Sequence, residues 1–145
     1  MTATPPLVDT NILVYLFDLD RPEKRECAKT LIEECFSGRR PLSVSVQNLA
    51  EFSVVVTENV EYPLPGETVS RFVHDICNFS GWNVVGYDGC CISDAVGLGA
   101  VHHLHFWDAL LLATMKRHGI TTIYSEDEHF SKVAGIRAVN PFVRT

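Results

Sequence analysis

Four acidic residues stand beside apolar segments of the chain: Asp9, Glu51, Asp108 and Asp127. The segments read PPLVDTNIL, SVQNLAEFSVVV, HFWDALLLA and TTIYSEDEHF. A carboxylate beside a buried element costs free energy unless something compensates its charge. Carboxylate oxygens suit Mg²⁺ and Mn²⁺, and such an ion can activate water and stabilise charge on a phosphoryl group. The set therefore predicts a fold that gathers the four acids around a divalent cation, with phosphodiester hydrolysis as its chemistry.

Each acid also has an ordinary structural explanation. Asp9 opens a helix, where aspartate is a preferred N-cap, and Asp108 lies in a first helical turn, where the helix dipole favours an acid. Glu51 on its own reads as a half-exposed residue in mid-helix, and Asp127 as part of a polar loop. Only the joint occurrence of the four favours a cation site. Glu126 adjoins Asp127, so either could be the fourth acid.

Length and composition indicate one domain over residues 1–145, with 46% hydrophobic residues to form a core. The net charge of −6 argues against a protein that coats nucleic acid, although bound cations would offset clustered acids in an enzyme that cuts it. No apolar run is long enough for a bilayer, and no signal-peptide pattern opens the chain. The five cysteines lack CxxC spacing and predict reduced, buried thiols in a cytoplasmic protein.

Strand and helix patterns alternate along the whole chain. This order predicts a three-layer α/β/α sandwich around a mostly parallel central sheet. The predicted strands are residues 7–9, LSVS, NVVGYD, ITTIYS and IRAVN. The predicted helix caps are Asp20, Ser45 and Asp88, and Gly38 and Gly119 should end two of the helices. Asp9 and Asp127 fall at or just after strand ends, where ligands bind in such sheets.

Four strings, in this order, resemble the PIN-domain ribonucleases: LVDTNILVYLFD, SVQNLAEF, HFWDALLLATMKRHGITTIYSEDEHF and IRAVNPF. The likeness is strongest to the toxins of bacterial VapBC-type toxin–antitoxin pairs. It implies an endoribonuclease that depends on Mg²⁺ or Mn²⁺ and cleaves RNA with water that the metal activates. It also implies homodimerisation, and inhibition by an antitoxin whose tail enters the active-site groove.

The resemblance also implies roles for individual residues. The four acids match the metal-binding and catalytic acids of the family, with Glu126 as a neighbour able to assist or replace Asp127. The small polar residues beside them match supporting positions in a second shell: Thr10, Asn11 and Ser125. One departure is His105, where related sequences commonly have a small hydroxyl residue.

Other features have competing interpretations. His102, His103 and His105 form an HHxH cluster, which we expect to be a solvated helix end, with a transition-metal site as the alternative. Trp82 and Trp107 are expected to pack in the core or at its edge rather than stack on bases.

Two other functions would use a similar fold. The first is a receiver-like signalling domain phosphorylated on Asp88, for which the ITTIYSEDE segment lacks the expected lysine. The second is a non-catalytic binding module of the PIN fold, against which the complete set of acids argues.

Overall fold

Five short parallel strands form one sheet in the computed structural model, which describes residues 3–143. The outermost positions of the predicted domain, 1–2 and 144–145, lie outside that range. The strands are β1 (Leu7–Val8), β2 (Leu42–Ser45), β3 (Trp82–Val85), β4 (Thr122–Tyr124) and β5 (Arg137–Val139). Their order across the sheet is β3-β2-β1-β4-β5, and every neighbouring pair is parallel. The predicted parallel sheet is confirmed.

Six α-helices cover the sheet: α1 (Thr10–Tyr15), α2 (Pro22–Phe36), α3 (Val46–Glu58), α4 (Gly66–Asn78), α5 (Gly89–His102) and α6 (Phe106–Arg117). A 3-10 helix, Glu128–Lys132, follows β4. Residues of α1 to α4 share one hydrophobic cluster, whereas α5 and α6 pack together and supply the others. The three-layer arrangement is therefore confirmed.

The two residues of β1 show how the layers are held. Leu7 and Val8 are both fully buried, but Leu7 joins the cluster under α6 and Val8 joins the cluster under α1 to α4. Successive side chains of a strand point to opposite faces, so even this short strand contributes to both cores. A strand buried on both faces is apolar throughout, which explains why the pattern LV carries no polar alternation.

Most predicted helix ends are confirmed. Ser45 caps α3 in a capping box with Asn48, and Gly38 and Gly119 adopt positive φ of 80° and 68° after α2 and α6. The prediction that Asp20 caps α2 is wrong. The N-cap is Arg21, without a side-chain cap. Asp20 belongs instead to the exposed turn before the helix, where its backbone N–H donates to Asp18 Oδ1 at 3.0 Å.

The cysteines differ in part from the expectation. All five are free, as predicted, and Cys35 and Cys91 are buried. Cys77 and Cys90 are exposed, so the prediction of burial is wrong for these two. Cys77 lies in the last turn of α4 and Cys90 in the first turn of α5. Both face solvent, where a small thiol needs no packing partner. Among residues 3–143, no helix is long and apolar enough to cross a membrane.

The strand order reverses between β1 and β4. In open parallel sheets, ligands bind in the crevice beyond the carboxyl ends of the strands at this point. Asp9 directly follows β1, and its backbone N–H donates to the carbonyl of Tyr124 at the end of β4, at 3.0 Å. The fold thus brings residue 9 beside residues 125–127.

Candidate active site

A cleft of about 750 Å³ opens at this point of the sheet. Its wall includes all four predicted acids: Asp9, Glu51, Asp108 and Asp127. They come from the end of β1, the middle of α3, the first turn of α6 and the loop after β4. Four residues spread over most of the sequence therefore share one solvent-open cavity.

Asp9 is held at the junction of β1 and β4. Its Oδ1 accepts a hydrogen bond from the backbone N–H of Thr10 at 2.8 Å, which makes it the N-cap of α1. Its Oδ2 accepts from the Ser125 hydroxyl at 2.7 Å, and Ser125 Oγ in turn accepts from the backbone N–H of Asp127 at 3.0 Å. The cap explanation for Asp9 is therefore correct without excluding a role in the cleft.

Glu51 is fixed from two sides. The Thr10 hydroxyl donates to Glu51 Oε2 at 3.0 Å, and Gln47 Nε2 donates to Glu51 Oε1 at 2.9 Å. Thr10 Oγ1 also accepts from Asn48 Nδ2 at 3.0 Å. Because Asn48 completes the capping box of α3, the orientation of the glutamate depends on how that helix begins.

Gln47 is a residue that the sequence interpretation missed. Its Nε2 bridges Glu51 and the backbone carbonyl of Trp107, at 2.9 Å from each, and so ties α3 to the first turn of α6. The side chain is 6% exposed, and its Oε1 has no hydrogen-bond partner among the described residues. The available signal was its position four residues before Glu51, which places both on one helical face.

Burial and mutual repulsion raise the pKa of two of the acids. The pKa of Asp9 is raised mainly by burial, and also by the charges of Asp108 and Glu51, against the opposing hydrogen bonds from Ser125 and Thr10. Burial also raises the pKa of Asp108, and the charge of Asp127 adds to the rise. A cation in the cleft would relieve this repulsion.

The structure separates Asp127 from its neighbour Glu126. Asp127 lines the cleft and accepts from the backbone N–H of His129 at 2.9 Å. Glu126 instead accepts hydrogen bonds from Tyr15 and from Lys24. Burial works to raise the pKa of Glu126, but these two partners hold it below its ordinary value. Glu126 is thus placed behind the cleft wall, in an ion pair.

The remaining supporting residues are less closely engaged. Asn11 lines the cleft with an exposed side chain. His102 ends α5, and His103 has a positive φ of 55° that terminates that helix, as expected of a solvated helix end. His105 is the N-cap of α6 and opposes the rise in the pKa of Asp108.

The donor set can be compared with the needs of a metal ion. Within residues 3–143, no three His, Cys, Asp or Glu side chains converge into a ready-made metal site. This holds for the histidine cluster as well as for the four acids. Magnesium is commonly bound through one or two carboxylates while it keeps several waters. An open cleft with oxygen donors and raised carboxyl pKa values fits such an ion, and does not fit a closed structural zinc site.

Two residues outside the set of four acids bear on the other interpretations of the sequence. Asp88 caps α5 through the backbone N–H of Cys91, at 3.0 Å, and pairs with Arg117. It lies outside the acidic cleft, which is a further argument against the receiver-like alternative. Trp82 is buried, as expected, but Trp107 is 58% exposed at the cleft. The expectation that Trp107 packs in the core or at its edge is therefore wrong, because the first turn of α6 directs its indole to solvent at the cleft.

Comparison with known proteins agrees with this architecture. The family model of the PIN domain matches residues 7–136. Ribonuclease VapC48 of Mycobacterium tuberculosis is 54% identical over 35 residues, which cover 24% of each of the two chains. The chain thus matches only about a quarter of that relative's length.

Solved structures share the fold over nearly the whole chain. A toxin–antitoxin complex from Klebsiella pneumoniae is similar with a TM-score of 0.65 and 24% identity, covering 94% of this chain and 97% of the other. VapC20 of Mycobacterium tuberculosis, described as a Sarcin-Ricin loop cleaving toxin, gives a TM-score of 0.64 at 21% identity, with coverages of 88% and 94%. With the sheet order, the acidic cleft and a match over residues 7–136, this chain belongs to the PIN domain family.

Proposed function

We propose that this protein is a metal-dependent endoribonuclease and the toxin of a toxin–antitoxin pair. The observation that carries the proposal is the meeting of Asp9, Glu51, Asp108 and Asp127 in one open cleft. Membership of the PIN domain family supports it, as does the partial match to a relative named as a ribonuclease.

The four acids would hold Mg²⁺ or Mn²⁺, directly or through water. When bound, the ion would supply activation of water and neutralisation of charge on the phosphate. The chain supplies the positioning: Ser125 fixes Asp9, while Thr10 and Gln47 fix the two oxygens of Glu51. Partners that orient the ligands in this way commonly affect metal affinity and activity. Asn11 is proposed to orient a water or a carboxylate from the cleft wall.

The proposed biological setting follows the structural relatives. One of them is named as a toxin–antitoxin complex and two are named as VapBC bound to DNA. We extend to this chain an antitoxin partner whose tail enters the acidic cleft. A homodimer is proposed on the same family resemblance. The five free cysteines favour action in a reducing compartment such as the cytoplasm.

The test is cleavage of RNA by the purified protein with Mg²⁺ or Mn²⁺. We expect Asp9→Asn and Asp108→Asn to lower the rate by more than about 100-fold, the upper end of what loss of a supporting residue costs. Asp88→Asn is the matched control, since it changes an aspartate at another helix N-terminus outside the cleft.

Two results would contradict the proposal. One is a folded Asp108→Asn protein that cleaves RNA as fast as the parent. The other is a parent protein that neither binds Mn²⁺ nor cleaves RNA, which would favour the non-catalytic binding module.

A further inference from the structure

Aromatic side chains are exposed at the acidic cleft. Trp107 is 58% exposed and Tyr87 is 41% exposed, and both line the cleft with the four acids. Phe106 is 39% exposed, and its ring meets that of Trp107 edge-on, with centroids 5.3 Å apart and an interplanar angle of 76°. Large apolar groups exposed together on a protein commonly mark a binding surface.

The backbone of Trp107 is fixed although its indole is exposed. Gln47 Nε2 donates to the Trp107 carbonyl at 2.9 Å, so the first turn of α6 is tied to α3. The edge-on contact with Phe106 restricts the ring itself. A flat aromatic face is therefore held in place beside Asp108, and a preorganised group loses little freedom when a ligand binds.

The cleft offers little electrostatic attraction to an RNA strand. Its described lining includes four acids and no lysine or arginine. Four basic side chains elsewhere are already paired with acids: Arg21 with Asp18, Lys24 with Glu126, Arg40 with Glu34 and Arg117 with Asp88. Binding through released counterions requires free Lys and Arg contacts to phosphate. The described wall of the cleft offers no such contact, so binding at the wall itself must rest on contacts of another kind.

We propose that Trp107 is the stacking platform for an unpaired nucleobase next to the scissile phosphate, with Tyr87 as a second aromatic wall of the same subsite. This inference rests on the proposed ribonuclease function and specifies its substrate as RNA that is single-stranded or looped out. Bases inside a duplex are stacked on each other and cannot lie on a side chain, whereas unpaired bases stack readily on aromatic rings.

A nucleobase suits this surface better than a second copy of the chain. A second copy seated in the cleft would place further acids against the four already there and block access to them, so the homodimer proposed above is assigned to another face. A nucleobase is neutral and flat, and the phosphate that follows it would face the cation held by the acids.

The test measures binding of labelled RNA in Ca²⁺, a divalent ion that also takes oxygen ligands, at times before any cleavage of the probe is seen on a gel. The parent protein is titrated with a mixed-sequence single-stranded 12-mer and with the same sequence as a blunt duplex, and binding is followed by fluorescence anisotropy. We expect the single strand to bind more tightly. Trp107→Ala should weaken its binding roughly 5- to 100-fold, the range measured when stacking residues are removed, and Trp107→Phe should restore most of it.

Matched controls isolate the platform. Tyr62 is 78% exposed and lies outside the acidic cleft, so Tyr62→Ala should leave binding unchanged. The chain has two tryptophans, and Trp82 is 6% exposed, so quenching of the emission by single-stranded RNA should come from Trp107 and be lost in Trp107→Phe.

Several outcomes would overturn the inference: no binding of the single strand by the parent, equal binding of strand and duplex, or undiminished binding by Trp107→Ala. A change in Trp107 emission that follows protein concentration alone would assign this surface to a second copy instead. If the parent cleaves RNA and Trp107→Ala binds RNA normally, the stacking role of Trp107 is wrong and the proposed ribonuclease function stands. If RNA binds through Trp107 but is not cleaved in Mg²⁺ or Mn²⁺, the stacking role stands and the proposed ribonuclease function is wrong.

Discussion

Lys24 Nζ lies 2.6 Å from Glu126 Oε2, although the two residues are 102 positions apart in the chain. The Tyr15 hydroxyl donates to the other oxygen of the same carboxylate. The Lys24 ammonium also lies 4.9 Å from the centroid of the Tyr15 ring. This contact joins α1 and α2 to the loop that carries Ser125 and Asp127, so the rear of the cleft is anchored by residues that do not line it.

Loss of this anchor should reduce activity without removing any acid from the cleft. Tyr15→Phe deletes one hydrogen bond to Glu126 and keeps the ring, and we expect about tenfold slower RNA cleavage, as is typical for a supporting residue. Lys24→Met should act in the same direction. The measurement is initial rate against Mn²⁺ concentration, and the loss should shrink as Mn²⁺ rises. Arg71→Met, which removes a pair with Glu67 on exposed α4, is the control and should cleave like the parent.

A divalent cation should stabilise the folded protein. At an Mn²⁺ concentration about 100 times its dissociation constant, the free energy of unfolding should rise by about 2.7 kcal/mol. Thermal melting with and without Mn²⁺ measures this gain. Asp9→Asn should lose most of it, whereas Asp88→Asn, outside the cleft, should retain it. An equal gain in both variants would show that the ion binds elsewhere.

Without metal, Asp108→Asn should be more stable than the parent at neutral pH. Burial raises the pKa of Asp108 above the ordinary value of 3.8, so its ionised form destabilises the folded state. That penalty is present above the raised pKa, declines as the pH falls through it, and is absent below the ordinary value.

The measurement is melting temperature against pH in EDTA. Asp108→Asn should melt at a higher temperature than the parent at pH 7, because the ionised carboxyl is disfavoured by burial, and the difference should vanish in acid. A constant difference at every pH would mean that the charge of Asp108 is not its cause.

Gln47 and Glu51 should be energetically coupled. Gln47→Met keeps the side-chain volume but removes both hydrogen bonds of Nε2, and we expect the free energy of unfolding to fall by about 1–3 kcal/mol, the cost of leaving a buried polar partner unsatisfied. In a double-mutant cycle with Glu51→Met, the double variant should lose less unfolding free energy than the sum of the two single losses, by about 0.5–3 kcal/mol. Strict additivity, measured by urea unfolding, would show that the 2.9 Å contact contributes nothing.

The main architecture could be predicted because its signals are local. Alternating strand and helix patterns gave the parallel sheet, and Asp88, Ser45 and Gly119 marked helix ends by their own backbone or side-chain bonds. Asp9 and Asp127 could be placed at one sheet edge because parallel strands share that edge. The prediction for Asp20 failed because the choice among Asp18, Asp20 and Arg21 depends on how the turn before α2 folds.

The interior of the site could not be predicted in the same way. The bond of Gln47 to the Trp107 carbonyl spans 60 positions and depends on how α3 meets α6. Glu126 and Asp127 are adjacent, and only the placement of Lys24 and Tyr15 assigns one to the ion pair and leaves the other on the cleft. The exposure of Trp107 follows from the direction in which α6 begins, which hydrophobicity alone does not reveal.

The hydrogen bond between Ser125 and Asp9 closes a separation of 116 positions, and it has a consequence for the timing of synthesis. A chain growing on the ribosome exposes β1, α1 and Asp9 first, whereas β4 and Ser125 appear near the end of translation. The cleft therefore cannot be completed on a nascent chain until β4 emerges and inserts beside β1. Products of aborted translation that stop before residue 125 lack Ser125, Asp127 and β5, and with them one wall of the cleft.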